Sequence, residues 1–252
     1  LASLGVSYVI SGDFSGWNFG LEQGGWGGMF IATVLMATMY TFMIFGLAEL
    51  SSSLPTAGGG YSFARRAMGP WGGFLTGTAI LLEYTIAPAA IAVFIGGYIN
   101  ELTGFSGPAI YAGFYLVFVG IHLFGVGEAL KIMMVITSIA VIALLVFAIG
   151  LIPHFDYNNL FDIAVNEQAV GSSSFLPQGY VGIWSAIPFA IWLFLAIEGV
   201  PLAAEETANP GKDMPKGIIT AMVILLIFAG VVLVLAPGVA GSELMKDHGA
   251  PL

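Results

Sequence analysis

Cysteine is missing from all 252 residues, so neither a disulfide framework nor a thiolate metal site can be built. Basic charge is almost as scarce. Six Lys and Arg residues serve the whole chain and the net charge is −9, which argues against nucleic acid as a partner. Charged residues of both signs amount to only 8%, far below what a soluble domain uses to cover its surface. His122, His154 and His248 are scattered, with no His-Glu-x-x-His or Gly-x-Ser-x-Gly context, so an enzyme has no constellation to rest on. The glycine stretches Gly72-Gly73, Gly77 and Gly96-Gly97 lack a following Gly-Lys-Ser/Thr and suit helix packing rather than phosphate binding. No metal and no cofactor is expected.

What fills the space is apolar. Hydrophobic residues make up 58% of the chain and the mean hydropathy is +0.95, values that only a lipid bilayer accommodates without large exposed patches in water. At about 20 apolar residues per crossing, seven transmembrane helices are predicted over 2–21, 27–50, 71–99, 108–125, 129–152, 181–203 and 217–238, an all-α membrane protein in a single transmembrane domain. The chain opens inside an apolar run, Leu1 to Ile10, without Met or a polar leader, and is read as a fragment of a longer protein.

The basic residues orient the spans. Arg65, Arg66, Lys131, Lys212 and Lys216 fall on one side if the chain starts in the cytoplasm; the opposite loop at 153–178 carries Asp156, Asp162 and Glu167 and no Lys or Arg. Positive residues gather on the cytoplasmic side of multi-pass proteins, so the N-terminal side is placed in the cytoplasm and the protein in a bacterial inner membrane. Trp26, Trp71 and Trp184 lie near predicted span ends, where indoles anchor at the interface.

Two spans carry the signs of a break. The first holds Ser11-Gly12-Asp13-Phe14-Ser15-Gly16 in mid-span, and the sixth holds Ala196-Ile197-Glu198-Gly199-Val200-Pro201. Gly and Pro weaken a helix, and Pro also frees a carbonyl; bare backbone at membrane depth is tolerated where protein or a watery cavity satisfies it. A break in span one matched by one in span six is the pattern of a five-plus-five inverted repeat with substrate held between the breaks. On this reading 1–152 is the first repeat and 179–252 the start of the second. A pair of packing kinks is the competing account.

These residues resemble a known family. Ala48-Glu49-Leu50, Pro55 and Ala57-Gly58-Gly59-Gly60-Tyr61 are similar to the signature after the second helix of amino acid–polyamine–organocation permeases. Glu198, Ala204-Glu205-Glu206, Asn209-Pro210 and Pro215 resemble the same superfamily's signature through helix six. Within it, Ser11 to Asn18 together with Gly24-Gly25-Trp26-Gly27-Gly28 looks like the ethanolamine permease branch. The resemblance implies a LeuT-like fold of about twelve helices, of which seven are present, and a secondary active transporter working by alternating access, with a general amino-acid permease as the alternative.

The expected substrate-binding residues are Ser11, Gly12, Asp13, Phe14, Ser15 and Gly16 in the first break, Ile197, Glu198 and Gly199 in the sixth span, and Glu83 and Trp192 nearby. In amino-acid carriers of the superfamily the half-helix after the first break receives the substrate carboxylate. Here Asp13 brings a carboxylate of its own, which would repel a second one and attract an ammonium group; N-capping of the half-helix is the plainer role for Asp13. Glu198 is carried over from the helix-six motif, to orient the unwound segment, hold substrate or take up a proton. Glu83 is a further intramembrane acid, functional by default or else hydrogen-bonded to a neighbouring helix. Phe14, Trp17, Tyr84, Phe189, Trp192 and Phe194 are candidates for an aromatic cage, each cation–π contact contributing about 0.5–2 kcal/mol. Glu49, Glu205 and Glu206 are expected near Arg65, Arg66 or Lys212 as a cytoplasmic gate or as solvated charge.

The coupling ion, proton or sodium, is left open. The helix-five lysine of some proton-coupled relatives corresponds to Ala140, and a superfamily sodium site needs helix eight. A seven-helix receptor is disfavoured by the cytoplasmic start, and a channel by the lack of a repeated filter. The expected partners are a small amine and the bilayer, and homo-oligomerisation is left open.

Overall fold

The computed structural model describes every residue except Phe124, and every side chain of those residues except Val126 and Glu206. Helices follow one another as α1 (Ala2–Val9), α2 (Ser11–Phe14), α3 (Phe19–Ser53), α4 (Gly59–Thr103), α5 (Pro108–Leu123), α6 (Val126–Leu151), α7 (Gly179–Trp192), α8 (Pro210–Ala240) and α9 (Ser242–Met245). Short 3-10 turns cover Ile152–His154, Tyr157–Phe161 and Ile197–Glu206. No strand occurs among the described residues. A helix satisfies its own backbone along its length, the condition set by hydrocarbon, and five segments are long and apolar enough to cross a membrane: Phe19–Ser53, Gly59–Thr103, Gly127–His154, Gly179–Glu205 and Pro210–Ala240.

Five of the seven predicted spans correspond to these segments; those predicted at 2–21 and 108–125 do not. The segment predicted at 108–125 is the 16-residue α5, which has no buried residue. The segment predicted at 2–21 is divided among α1, α2, a non-helical stretch and the first turn of α3. The segment predicted at 27–50 lies within α3, which Gly25 interrupts. The physical reason is local. Gly and polar residues at 11–18 remove side-chain packing and offer competing hydrogen bonds.

The other boundaries also have visible causes. Gly69, at φ 74 and ψ −166, breaks α4 just before Pro70. That conformation suits glycine alone, and a proline with fixed φ then starts the second cylinder. Gly104 closes α4 in the left-handed region, its N–H donating to Asn100 O at 2.8 Å, the usual helix stop.

The chain divides into two compact units. One comprises Leu1–Tyr8, Met43–Ile136 and Ala196–Met222; the other comprises Val9–Phe42, Thr137–Leu195 and Val223–Leu252. The first is cored by Val6, Ile44, Phe63, Ile197, Val200, Met214 and Ile218. Within it the predicted packing glycine Gly96 lies against the ring of Tyr111. The second is cored by Trp17, Leu21, Met29, Ala190, Leu193, Phe194 and Val232. There α3 and α7 meet backbone to backbone, since a Cβ on Gly182 would come within 3.0 Å of Gly24 Cα. Small residues permit this close approach.

The loop predicted at 153–178 is fastened within the second unit. Asp156 N–H donates to Gly238 O at 2.8 Å, and Asn159 Nδ2 donates to Gly238 O and Val239 O, both at 3.1 Å.

Candidate functional site

In the second unit, the backbone leaves the helix after Asp13 rather than before it. Ser11–Phe14 is helical, Ser15 is extended at φ −164 and ψ 161, and Gly16 takes φ 97. A φ of this kind is open to glycine at little cost, so Gly16 sets the place where the chain turns away. The helix resumes at Phe19.

Asp13 therefore does not N-cap the following half-helix. It lies inside the preceding helical turn, its own N–H donating to Ile10 O at 3.2 Å. The carboxylate is 0% exposed, and both oxygens lack a hydrogen-bond partner among the described residues. An ordinary structural role would supply such a partner, because a buried polar group without one is costly.

Three polar side chains hold the backbone beside it. Trp17 Nε1 donates to Asp13 O at 3.1 Å, and Trp192 Nε1 donates to Ser15 O at 2.9 Å. Asn18 accepts the Gly16 N–H on Oδ1 at 3.2 Å. Gly12 is pressed on the end of α7, since a Cβ there would run into the Trp192 carbonyl oxygen. Of the expected aromatic residues, Phe14, Trp17, Phe189, Trp192 and Phe194 all belong to this unit. Phe194 is fully buried and its ring centroid is 5.7 Å from that of Tyr40; the rings of Phe189 and Phe19 are 6.5 Å apart.

The break in the sixth span belongs by its second half to the first unit. The α-helix stops at Trp192, and Ala196 adopts φ 76, the sole positive φ of a non-glycine among the described residues. Such a conformation strains a side-chain-bearing residue and marks a held position. A 3-10 segment then runs from Ile197 to Glu206 and contains Pro201. Glu198 Oε1 accepts the Ala196 N–H at 3.2 Å, so this acid satisfies a donor at the start of the unwound stretch.

The carboxyl group of Glu83, on α4, lies close to that of Glu198. Two ionised carboxylates at such a distance repel one another. One oxygen of each, Glu83 Oε1 and Glu198 Oε2, is buried without a partner among the described residues. Tyr84 lies beside the pair, with Tyr8 close to it. A Cβ on Gly199 would overlap the Tyr84 hydroxyl and touch the Tyr8 ring at 3.4 Å.

The expected cytoplasmic gate residues are arranged differently. Arg65 Nη1 donates to Tyr61 Oη at 2.9 Å on its own helix, and its guanidinium lies 6.0 Å from the Tyr61 ring centroid. Glu205 Oε1 accepts the Ala57 N–H at 3.2 Å. Among the described residues no ion pair joins Arg65 or Arg66 to Glu49 or Glu205; the pairs present are Lys131–Glu128 at 2.7 Å and Lys246–Glu243 at 2.5 Å. The reason is local reach: Tyr61 stands one turn from Arg65, and the free Ala57 N–H lies next to Glu205. The Glu206 side chain lies outside the described residues. No group of three or more acidic or His side chains that could hold a metal occurs among the described residues.

Sequence reasoning did not single out Asn18 or Tyr8. A carboxamide in an apolar span, two residues from Gly16 and from Gly20, was the available signal for Asn18; Tyr8 carried none.

The family described as "Amino acid permease" matches residues 4–245. An uncharacterized transporter of Rhizobium meliloti is 29% identical over 99% of this chain and 54% of its own length. The branched-chain amino acid permease BcaP of Bacillus subtilis is 30% identical over 84% of this chain and 48% of its own. The methylthioribose transporter of Bacillus subtilis is 28% identical over 78% and 44%. The chain thus spans about half the length of the curated relatives it matches.

Proposed function

The chain belongs to the amino acid permease family, and from that premise we propose that it is part of a secondary active transporter importing a small amine, ethanolamine foremost, across a bacterial inner membrane. The N-terminal side faces the cytoplasm, the LeuT-like repeat supplies the two breaks, and access alternates between the faces.

One observation carries the choice of an amine. Asp13 is a fully buried carboxylate with two unpartnered oxygens at the end of a helical turn. The C-terminal end of a helix carries partial negative charge, so carbonyls and carboxylate there both favour a cation. A substrate bearing its own carboxylate meets repulsion; an amine without one supplies the missing partner. Ser11, Gly12, Phe14, Ser15 and Gly16 shape the backbone around Asp13, and Trp192 holds it. In the other unit Ile197, Glu198, Gly199 and Glu83 form the unwound segment and its acid pair. Glu49, Arg65, Arg66, Glu205 and Glu206 belong to the cytoplasmic face.

A general amino-acid permease is the second reading, favoured by relatives named as branched-chain amino acid permeases. Uptake of labelled ethanolamine by the complete carrier, competed with alanine, lysine and unlabelled ethanolamine, separates the two. Competition by ethanolamine alone, lost in Asp13→Asn, supports the amine carrier. Efficient competition by alanine transfers the assignment to an amino-acid permease. Repeating uptake without sodium, or with the proton gradient collapsed, identifies the coupling ion.

A further inference from the structure

Between Glu49 and Glu83 the chain carries no acid and two of its six basic residues, Arg65 and Arg66. This stretch is thus positive in a protein whose net charge is −9. It also folds back on itself. A Cβ on Gly73 would come within 2.8 Å of Arg65 Cβ, and one on Gly77 within 3.0 Å of the Tyr61 ring. Residues eight and sixteen positions apart would stand about 12 and 24 Å apart on a straight helix. The break at Gly69 therefore makes α4 a helical hairpin, its arms closed on glycines that permit near contact.

The tip of the hairpin is uncovered. Arg65, Arg66 and Met68 are exposed on the first arm, and Trp71, Phe74 and Leu75 on the second. Trp71 and Phe74 meet edge to face, their ring centroids 6.0 Å apart. Arg65 is already ordered by Tyr61, through the bond to its hydroxyl at 2.9 Å and the ring beneath the guanidinium. A guanidinium has five N–H donors. Arg65 spends one of them there, and Arg66 has no ion pair or hydrogen bond among the described residues. Two such groups beside an exposed Trp and Phe fit the headgroup layer of a bilayer. There an indole anchors at the interface, and guanidinium forks take phosphate oxygens in pairs.

The foot of the same hairpin reaches the unwound stretch of the sixth span. A Cβ on Gly59 would come within 2.9 Å of the Leu202 side chain and 3.6 Å of Pro201 Cβ, and Glu205 Oε1 accepts the Ala57 N–H at 3.2 Å. We propose that the hairpin tip binds an anionic phospholipid. Arg65 and Arg66 hold its phosphate, Trp71 and Phe74 lie against the glycerol and upper acyl chain, and a hairpin so held steadies the 197–206 segment and raises the rate of transport. The effect on transport rests on the carrier reading above; the binding of lipid does not.

The test takes the complete carrier, purified and equilibrated in turn with phosphatidylglycerol and phosphatidylcholine, and reads retained lipid by native mass spectrometry. Phosphatidylglycerol is expected to be held about thirtyfold more tightly, the scale that two basic side chains supply at an anionic surface. Arg65→Gln with Arg66→Gln is expected to bring the two lipids to parity. Arg65→Lys with Arg66→Lys keeps the charge, loses the paired geometry and is expected to fall between. Equal retention of both lipids by the unaltered carrier overturns the proposal whether or not a variant folds, and so does an undiminished preference in the Gln variant. Excess inorganic phosphate is expected to leave the lipid in place; its displacement would mark a site for free anions and overturn the lipid.

The consequence for transport is read in phosphatidylcholine vesicles at saturating substrate. Adding phosphatidylglycerol is expected to raise uptake by the unaltered carrier several-fold and by the Gln variant not at all. An equal rise in both overturns the link from hairpin to sixth span. Lipid retention requires no transported substrate, so a carrier that prefers phosphatidylglycerol and ignores ethanolamine refutes the amine assignment alone.

Discussion

The indole nitrogen of Trp192 donates to the carbonyl oxygen of Ser15 at 2.9 Å, across 177 positions of sequence. It ties the last residue of α7 to the extended residue at which the first span leaves its helix. A carbonyl freed by unwinding has lost its intrahelical donor, and a buried one must find another. Trp192→Phe keeps the ring and removes the donor. In the complete carrier it is expected to lower stability by about 1 kcal/mol and to raise the KM for uptake with little loss of protein in the membrane. Thermal unfolding in detergent and uptake kinetics check both parts, and an unchanged KM would separate the tie from the substrate path.

Gly12 meets the carbonyl of the same Trp192, whereas Gly46 has nothing within 4 Å of the place a Cβ would occupy. Gly12→Ala is expected to reduce uptake about tenfold or more, through overpacking against backbone that cannot rotate away. Gly46→Ala is expected to leave uptake intact. Equal behaviour of the two variants would contradict the packing described at the first break.

Glu83 and Glu198 lie close together, each with one buried oxygen lacking a partner among the described residues. Glu83→Gln supplies a permanent donor to Glu198 and is expected to fold and insert normally. Glu83→Ala leaves the Glu198 carboxyl without that partner and is expected to cost about 1–3 kcal/mol. The comparison is made on thermal stability of the purified carrier; a Gln variant as unstable as the Ala variant would show that the two side chains do not pair.

Gly199 leaves no room for a Cβ beneath the Tyr84 hydroxyl. Gly199→Ala is expected to be destabilising, and adding Tyr84→Phe, which removes the obstructing oxygen, is expected to recover part of the loss. Contacting residues show such coupling, typically about 0.5–3 kcal/mol. Strict additivity of the two changes in a double-mutant cycle would show that the contact is absent.

Much of this architecture is legible in the chain. Apolar runs of about 20 residues between turn signals locate the long helices, and Gly, Ser, Pro and acid in mid-span locate both breaks. The first break was legible as a segment and not as a point. Residues 11–16 were all plausible places to unwind, and the turn falls at 15–18 because Gly16 can take φ 97 and Asn18 can hold its N–H. That shift moves Asp13 from the start of one helix to the end of another and removes its capping role. No gate pair is seen among the described residues for a related reason, since charge is visible in a sequence, while the choice between Tyr61 and an acid for Arg65 is one of reach.

The amino-acid sequence alone specifies the apolar solvent, the long helices of the five membrane-length segments, the places where helices weaken and the family resemblance. Each depends on composition or on neighbours in the chain, so each can be read locally. Only the tertiary structure decided that Glu83 meets Glu198, that Trp192 reaches Ser15 and that Asn18 grips residues beyond α8. Those choices join residues more than a hundred positions apart, and hydrogen-bond partners at such separation are selected by packing rather than by pattern.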